Sequence, residues 1–413
     1  MTEHKHLKQL VRSRMQKTGE TYSTARHQIV KQAPDTPESK PLTHHFPGRI
    51  PVATALRSLL AQAGVRNPHT KAPFSEAMVF GLDGGIGAGM FAFHYAKEGF
   101  SSFYVAGRHA WWDDANWSAG ARKRLGVTSI VKESSGTKPA EKHLRELLEG
   151  GRPVMAWVDA SHLSHRAMPA SWSGGGYHVI TIYGIDDASG TALIGDLAEQ
   201  PIAISLPDLA QARGRIKKFK NRVLALEPTE KTPALEPLVR SSIQACVDGL
   251  VKCAMKHYTL EAFKTWADKL DGSKAADSWE KIFPPGPLLY TGLWSIHEFI
   301  ERFGTGGGLC RPIYAEFLAE AGTALSDAKL RALAKRYAEL GRDWSALARA
   351  ALPDNLPALR EVRDMPTLTD RVAATERDFP LDAKQGAALR KELKERVTAL
   401  YEGEVAALAE LGA

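Results

Sequence analysis

Apolar residues recur at two different spacings along the chain. Between residues 41 and 228, short apolar and β-branched runs bounded by turn residues predict strands, and stretches with helical spacing predict helices. We predict strands at 77–82, 102–105, 153–158, 179–185, 192–194 and 223–226, and helices at 51–63 and 140–148. Short turns join the later strands, which favours an α+β fold with a mostly antiparallel sheet over a doubly wound α/β fold.

After residue 228 the strand pattern ends and helical periodicity takes over. Ala, Leu, Glu, Lys and Arg dominate, and apolar residues recur about every 3.6 positions. We predict helices within 237–271, 288–303, 311–322, 326–352 and 383–411. Residues 229–413 are therefore expected to form an all-α domain that follows an α+β domain of residues 41–228.

The first forty residues differ from the rest in pattern and in charge. Apolar residues at helical spacing, a Thr18-Gly19 stop and Pro-rich residues 33–41 predict a helical hairpin and an extended linker at residues 1–40. The whole chain carries a net charge of +7, and this segment supplies much of the excess. The charge favours an acidic partner such as nucleic acid or an acidic carrier protein, and a solvated helix face explains it equally well.

The sequence shows neither a membrane segment nor a secretion signal. Its apolar runs are far shorter than the ~20 residues that span a bilayer, and no apolar stretch follows the charged N-terminus. We expect no membrane partner and a cytoplasmic location. Cys246, Cys253 and Cys310 form no Cys-x-x-Cys pair and have no histidine at metal-ligand spacing. We expect reduced thiols, at least two of them buried, and neither a metal site nor a cofactor.

A glycine-rich run, Gly81-Leu-Asp-Gly-Gly-Ile-Gly-Ala-Gly-Met90, follows the predicted strand at 77–82. A dinucleotide fingerprint that starts at Gly85 and Gly87 would need a third glycine where Met90 stands, and no clear βαβ unit follows. We therefore expect Gly85 and Gly87 to allow close backbone approach to another segment or to a ligand.

His178 and Asp196 form the strongest candidate for chemistry. His178 opens the predicted strand at 179–185, and Asp196 follows the next strand. In a cysteine hydrolase or transferase such a histidine is the base, and the carboxylate fixes its tautomer. A histidine with a purely structural role explains the same position.

Several other residues have both a functional and a structural explanation. Glu76 is either a site carboxylate or a partner of a helix N-terminus. Asp159 ends a strand at a sheet edge and is a candidate ligand contact. Arg311 follows a glycine run and either binds a carboxylate or phosphate or forms an internal ion pair. The Trp111-Trp112 pair and Trp117 either shape a groove or cover the core, and core cover is favoured.

These residues together resemble a known protein family. Segments 74–81, 150–154, 174–186, 193–196 and 205–213 look like the N-terminal domain family of the butirosin-biosynthesis H protein. Residues 284–298 and Gly304-Thr-Gly-Gly-Gly-Leu-Cys-Arg311 look like the helical domain that often follows it. The similarity spans about residues 44–345, in the same order and at similar spacing.

The resemblance implies a papain-like (cysteine-peptidase-like) domain with a Cys-His-Asp site. The founding member transfers an acyl group from an acyl carrier protein onto an amine of an aminoglycoside. The family's His-Cys pair, at the start of its first helix, falls on Ile50-Pro51 here, so neither residue is present. Thr54 is the nearest hydroxyl, but a backbone-bonding role suits it better. Cys310 would need the helical domain to pack against this helix.

Three functions follow from these observations, and whether the chain is an enzyme stays open. The favoured one is a degenerate acyltransferase relative that binds a small-molecule or carrier-linked acyl ligand around His178, with non-covalent or lost catalysis. The second is an active acyltransferase in which His178 and Asp196 act as base and orienter. The third is nucleic-acid binding through residues 1–32. The first two expect the start of the helix at 51–63 to face His178, with Asp196 behind it.

Overall fold

A six-stranded antiparallel sheet forms the centre of the N-terminal half. The computed structural model describes residues 44–108, 116–229, 233–272, 274–377 and 381–412. The strand order is β3-β8-β4-β5-β6-β7, and every neighbouring pair is antiparallel, as predicted. The strands are β3 (Ser129–Lys132), β4 (Val154–Asp159), β5 (Tyr177–Asp186), β6 (Thr191–Gly195), β7 (Ile202–Ser205) and β8 (Val223–Leu226).

Helices cover both faces of this sheet. Helix α1 (Pro51–Gln62) packs on one face, where Ser58 contacts the Tyr183 hydroxyl at 3.3 Å. Pro at the first helical position and Gly64 (φ +87°) after its end agree with the predicted boundaries. The other face packs against α4 (Thr137–Glu149) and α5 (Leu206–Arg215). The alternation of strand side chains thus separates two cores, one on each side of the sheet.

The predicted strand at 77–82 is wrong. These residues form α2 (Glu76–Leu82), which begins at Ser75, whose side chain accepts a hydrogen bond from the Met78 amide. Every residue of α2 is buried, and periodicity cannot distinguish a short, fully buried helix from a buried strand. The serine followed by a glutamate was the better signal, because it is typical of a helix N-terminus.

The glycine run therefore connects a helix to a strand. Residues 83–85 turn the chain, and β1 (Ile86–Tyr95) pairs with β2 (Phe100–Arg108) in a separate antiparallel hairpin. The prediction at 102–105 found part of β2. The sequence analysis missed β1, β3 and β7. Glycines hide the alternation of β1, and the other two strands have only four residues each.

Within the described ranges, the chain after β8 contains helices and no strand, as the periodicity predicts. None of the helices described is long and apolar enough to cross a membrane. The helices are α3 (Ala119–Leu125) in the N-terminal half, then α6 (Leu235–Val251), α7 (Glu261–Leu270), α8 (Trp279–Ile282), α9 (Pro287–Glu301), α10 (Arg311–Ala324), α11 (Ala328–Ala351), α12 (Pro357–Asp364), α13 (Leu368–Ala373) and α14 (Ala383–Gly412).

The described residues from 46 onward form one unit in which the helical part and the α+β part share a core. A Cβ atom at Gly81 would come within 2.2 Å of the Phe317 ring, so α2 and α10 pack in direct contact. The domain boundary at residue 228 stays a prediction. The helical hairpin and linker expected at 1–40, and the Trp111-Trp112 pair, lie outside the described residues.

Candidate functional site

His178 and Asp196 meet at one edge of the central sheet. His178 is the second residue of β5, and Asp196 directly follows β6, its antiparallel neighbour. The His178 Nε2 atom lies 2.8 Å from Asp196 Oδ1. The Asp196 side chain is fully buried, and that of His178 is 8% exposed. The contact expected from the sequence is therefore present.

A loop brings two further side chains to Asp196. Residues 160–176 connect β4 to β5, and a short 3₁₀ turn, Ser164–Arg166, carries His165 and Arg166. Arg166 places Nε 2.7 Å from Asp196 Oδ2 and Nη2 2.5 Å from Oδ1, while His165 Nε2 lies 2.7 Å from Oδ2. The sequence analysis missed both residues, because an irregular loop has no periodicity that fixes where its side chains lie.

The surroundings of the pair lower the pKa of both Asp196 and His178. Burial opposes the charge of Asp196, but His178, His165 and Arg166 together hold the pKa of that carboxyl well below its usual range. Burial lowers the pKa of His178; the Asp196 charge raises it, Arg166 and His165 lower it again, and the net shift is downward. Arg166 and His165 thus offset part of the electrostatic support that Asp196 would give to an imidazolium at His178.

The strand register places His178 on the sheet face opposite α1. His178 directly faces Val158, which belongs to the core shared with α4 and α5. On the same strand, Val179 and Tyr183 point to the opposite face, on the side of α1. The start of α1 does approach the same edge, since the Gly48 amide donates to the Leu197 carbonyl at 3.1 Å. The expectation that the start of α1 faces the imidazole is therefore wrong, although both lie at the same edge of the sheet.

The N-terminus of α1 is occupied by Glu76. Its Oε1 atom accepts hydrogen bonds from the backbone amides of Arg49 (2.7 Å) and Ile50 (2.6 Å), and lies 2.8 Å from the Thr54 hydroxyl. A carboxylate at this position satisfies otherwise unpaired amides and complements the helix dipole. Of the two roles considered for Glu76, the contacts match the helix N-terminal one. The Thr54 hydroxyl also lies 2.9 Å from the Ile50 carbonyl.

The cysteines described do not supply a reactive thiol at this helix start. The glycine loop before Cys310 does pass over it, since a Cβ at Gly306 would lie 3.1 Å from Arg49 Cβ. However, Cys310 is fully buried, and burial raises its pKa to about 11. Cys246 is also fully buried, with its pKa raised by burial to about 12. Two buried cysteines are what the sequence analysis expected.

Asp159 makes its hydrogen bonds within the loop of residues 160–176. Its Oδ1 accepts from the Ser161 amide (3.0 Å) and hydroxyl (2.7 Å), and its Oδ2 accepts from the Gly174 amide at 2.5 Å. Asp159 is fully buried and pairs with Tyr177, one register position from His178. Its side chain thus ties both ends of loop 160–176 together, on the other face of the sheet.

The glycines and Arg311 lie in the core shared with the helical part. A Cβ at Gly85 would come within 2.4 Å of the Tyr314 ring, so the close backbone approach involves another segment of the chain. Arg311 is fully buried; it donates to Glu404 Oε1 at 2.6 Å and to the Gly87 carbonyl at 3.1 Å. The internal ion pair is the alternative that these contacts match, and none of these residues adjoins His178.

A small pocket also opens beside α1, and His178 does not line it. Its polar lining residues are Asp83 and Arg108, and the guanidinium of Arg108 lies 4.3 Å from the Trp117 ring centre. Trp117 itself is buried, which matches core cover. Within the part of the chain that the structure describes, no group of His, Cys, Asp and Glu side chains is arranged to hold a metal ion.

Comparison with known proteins assigns two consecutive regions. Residues 52–197 match the family model described as butirosin biosynthesis protein H, N-terminal, and residues 207–380 match a domain of unknown function, DUF4872. No curated protein sequence matches the chain. The second match begins in α5. Strand β8, which pairs with β3 and β4, therefore lies in the second region although it belongs to the central sheet. The chain thus matches the butirosin biosynthesis protein H N-terminal family over residues 52–197, followed by a match to DUF4872 over residues 207–380.

Proposed function

We propose that this protein is a relative of the butirosin-H acyltransferases that binds an acyl ligand beside His178 without forming a covalent intermediate. In this proposal the N-terminal domain is papain-like and has lost its nucleophile. The ligand is a small acyl compound or an acyl group on a carrier protein. The observation that carries the proposal is the start of α1. Pro51 is the first residue of this helix, and Glu76 accepts hydrogen bonds from the backbone amides of Arg49 and Ile50.

The chemistry at this helix start supports the loss of covalent catalysis. Acyl transfer through an enzyme thioester requires a thiolate, and a helix N-terminus favours one by stabilising its negative charge. Proline has no side-chain nucleophile. The carboxylate of Glu76 already lies at the helix N-terminus, where a thiolate would be stabilised. The nearest hydroxyl, on Thr54, is buried against Glu76 and a backbone carbonyl.

The polar cluster at the sheet edge supports ligand binding more than base catalysis. A base at His178 would have to hold a proton, and Asp196 would have to compensate the new charge. Arg166 contacts Asp196 through two nitrogen atoms, so that compensation is already used. The lowered pKa of His178 leaves a neutral ring that can accept or donate one hydrogen bond to a ligand.

A second function, direct acyl transfer, is favoured by the His178–Asp196 contact itself. In that case an acceptor amine attacks the thioester carbonyl and His178 takes the amine proton. The C–S bond breaks, and His178 returns the proton to the departing thiolate. Such a route needs no cysteine. The basic composition of the chain also suits an acidic carrier protein as the donor. Nucleic-acid binding by residues 1–32 stays a separate prediction, to be tested by the salt dependence of binding with and without that segment.

Two measurements on purified protein separate these functions. Turnover of an acyl-pantetheine thioester with an amine acceptor is compared among wild type, His178→Gln and His162→Gln. His162 lies in the same loop and contacts Ser173 instead of Asp196, so it is the matched control. Equal background rates in all three support the proposal. A wild-type rate above background that His178→Gln alone abolishes overturns it in favour of direct transfer.

Binding is measured on the same variants with a non-hydrolysable acyl-pantetheine amide as the probe. Calorimetry is expected to show binding by wild type and by His162→Gln, and weaker binding by His178→Gln. Absence of any binding by wild type would overturn the ligand-binding proposal, whatever the turnover assay shows.

A further inference from the structure

Three atoms at the sheet edge form a nearly equilateral triangle of polar contacts. Arg166 Nη2 lies 2.5 Å from Asp196 Oδ1 and 2.8 Å from His178 Nε2, and the remaining side, from His178 Nε2 to Asp196 Oδ1, is 2.8 Å. Each side is short enough for a hydrogen bond. The triangle therefore contains more close contacts than a single arrangement of protons can satisfy.

The number of protons decides which contacts are attractive. A neutral imidazole carries its proton on one nitrogen, so Nε2 either donates to Asp196 or accepts from Arg166. If Nε2 donates, its hydrogen faces an N–H group of Arg166. If Nε2 accepts, it receives a hydrogen of the Arg166 cation, the ring proton moves to Nδ1, and the Nε2 lone pair faces Asp196 Oδ1, whose charge Arg166 offsets. The carboxylate still accepts from His165 and from Arg166 Nε.

We propose that Arg166 is a positioning residue that fixes His178 in the tautomer protonated on Nδ1. The ring then presents an N–H group, suited to a carbonyl or carboxylate oxygen of a ligand, and does not present a base. Release of Arg166 from the cluster leaves Asp196 as the sole neighbour of Nε2 within this triangle. The proton then returns to Nε2, and Nδ1 becomes the basic nitrogen.

The loop that carries Arg166 is well placed to control this change. Its two ends are joined through Asp159, and its middle is braced by the helical part of the chain. Thr369 donates to the Ala167 carbonyl at 2.7 Å, and the Trp172 ring lies 5.7 Å from that of Phe303. The DUF4872 region thus supports the segment that sets the proton on His178.

This inference concerns the state of the site in the proposed function, and its test is made on the free protein. Nitrogen-15 spectra of uniformly labelled full-length protein identify which ring nitrogen of each histidine is protonated. Comparison with His178→Gln assigns the signals of His178. We expect Nδ1 to be protonated in wild type and Nε2 to be protonated in Arg166→Met, which removes the donors and keeps an unbranched side chain.

Arg215→Met is the matched control. Arg215 lies against the other end of the loop, where it donates to Ser173 Oγ at 2.6 Å, and we expect it to leave the His178 signals unchanged. A wild-type spectrum with the proton on Nε2 overturns the inference by itself, even if the variant fails to fold. An Arg166→Met spectrum identical to wild type also overturns it. Neither result bears on whether an acyl ligand binds, so the two proposals fail separately.

Discussion

Two arginine–carboxylate pairs in this protein have the same short contacts and opposite surroundings. Arg311 and Glu404 lie 2.6 Å apart with side chains that are 0% and 1% exposed. Arg166 and Asp196 lie 2.5 Å apart, but the Arg166 side chain is 28% exposed and is carried by a loop. The first pair also binds backbone carbonyls and the Trp344 indole, whereas the second contacts two histidines.

The difference separates a structural ion pair from one that is coupled to titratable groups. Arg311 and Glu404 are both buried in the core where β1, β2 and the helical part meet. Arg166 shares its carboxylate with His178, whose pKa is lowered chiefly by burial. Similar distances therefore support different roles, and the surroundings identify which pair belongs to a site.

The largest effect is expected from breaking the pair in the core. Arg311→Met leaves Glu404 buried without its cation and should lower the free energy of unfolding by about 3–5 kcal/mol. Urea unfolding of the variant and wild type measures this directly. The control is Arg349→Met, whose pair with Asp354 is exposed, and it should cost less than about 1 kcal/mol. Equal losses in both variants would contradict the structural role of Arg311.

Removing the carboxylate at the start of α1 should have the next largest effect. Glu76→Ala leaves the amides of Arg49 and Ile50 without their acceptor, and we expect a loss of about 2–3 kcal/mol. Glu76→Gln keeps one acceptor oxygen and should lose about 1 kcal/mol. Urea unfolding distinguishes the two. A variant as stable as wild type would show that Glu76 is not the cap of this helix.

The pH dependence of stability tests the titratable pair. The folded pKa of His178 is lowered, so below about 6.5 the unfolded chain binds a proton that the folded protein does not. Stability should therefore fall as the pH drops through this region, by up to about 1.4 kcal/mol per pH unit for this group. The lowered pKa of Asp196 adds a loss of stability only below about pH 4.

Thermal or urea unfolding between pH 7 and pH 5 measures this term. His178→Gln should flatten the curve, and His162→Gln should leave it close to wild type. If stability of wild type rises as the pH falls through this window, His178 is charged in the folded protein and the account of its surroundings is wrong.

The sequence predicted the antiparallel sheet, the helical C-terminal part and the contact between His178 and Asp196, because each depends on local pattern and on neighbouring strands. It did not predict the face on which His178 lies. Residues 179–182 are buried on both sides of the sheet, so the run lacks the alternation that would distinguish one face from the other.

Arg166 and His165 could not be found for a different reason. Their positions depend on a loop whose path is set by Asp159 at its ends and by Trp172 against α9 and the residues after it. These are long-range contacts, and sequence spacing within the loop contains no information about them. The assignment of α2 failed only because its apolar run is short and fully buried.

The most direct test of the lost nucleophile uses Pro51→Cys. A thiol at this position starts α1, and the structure places the imidazole of His178 on the opposite face of the sheet. We predict that the rate of labelling by iodoacetamide is unchanged when His178→Gln is added. Rapid labelling of Pro51→Cys that is lost in the double variant would show that His178 faces α1, and would contradict the account.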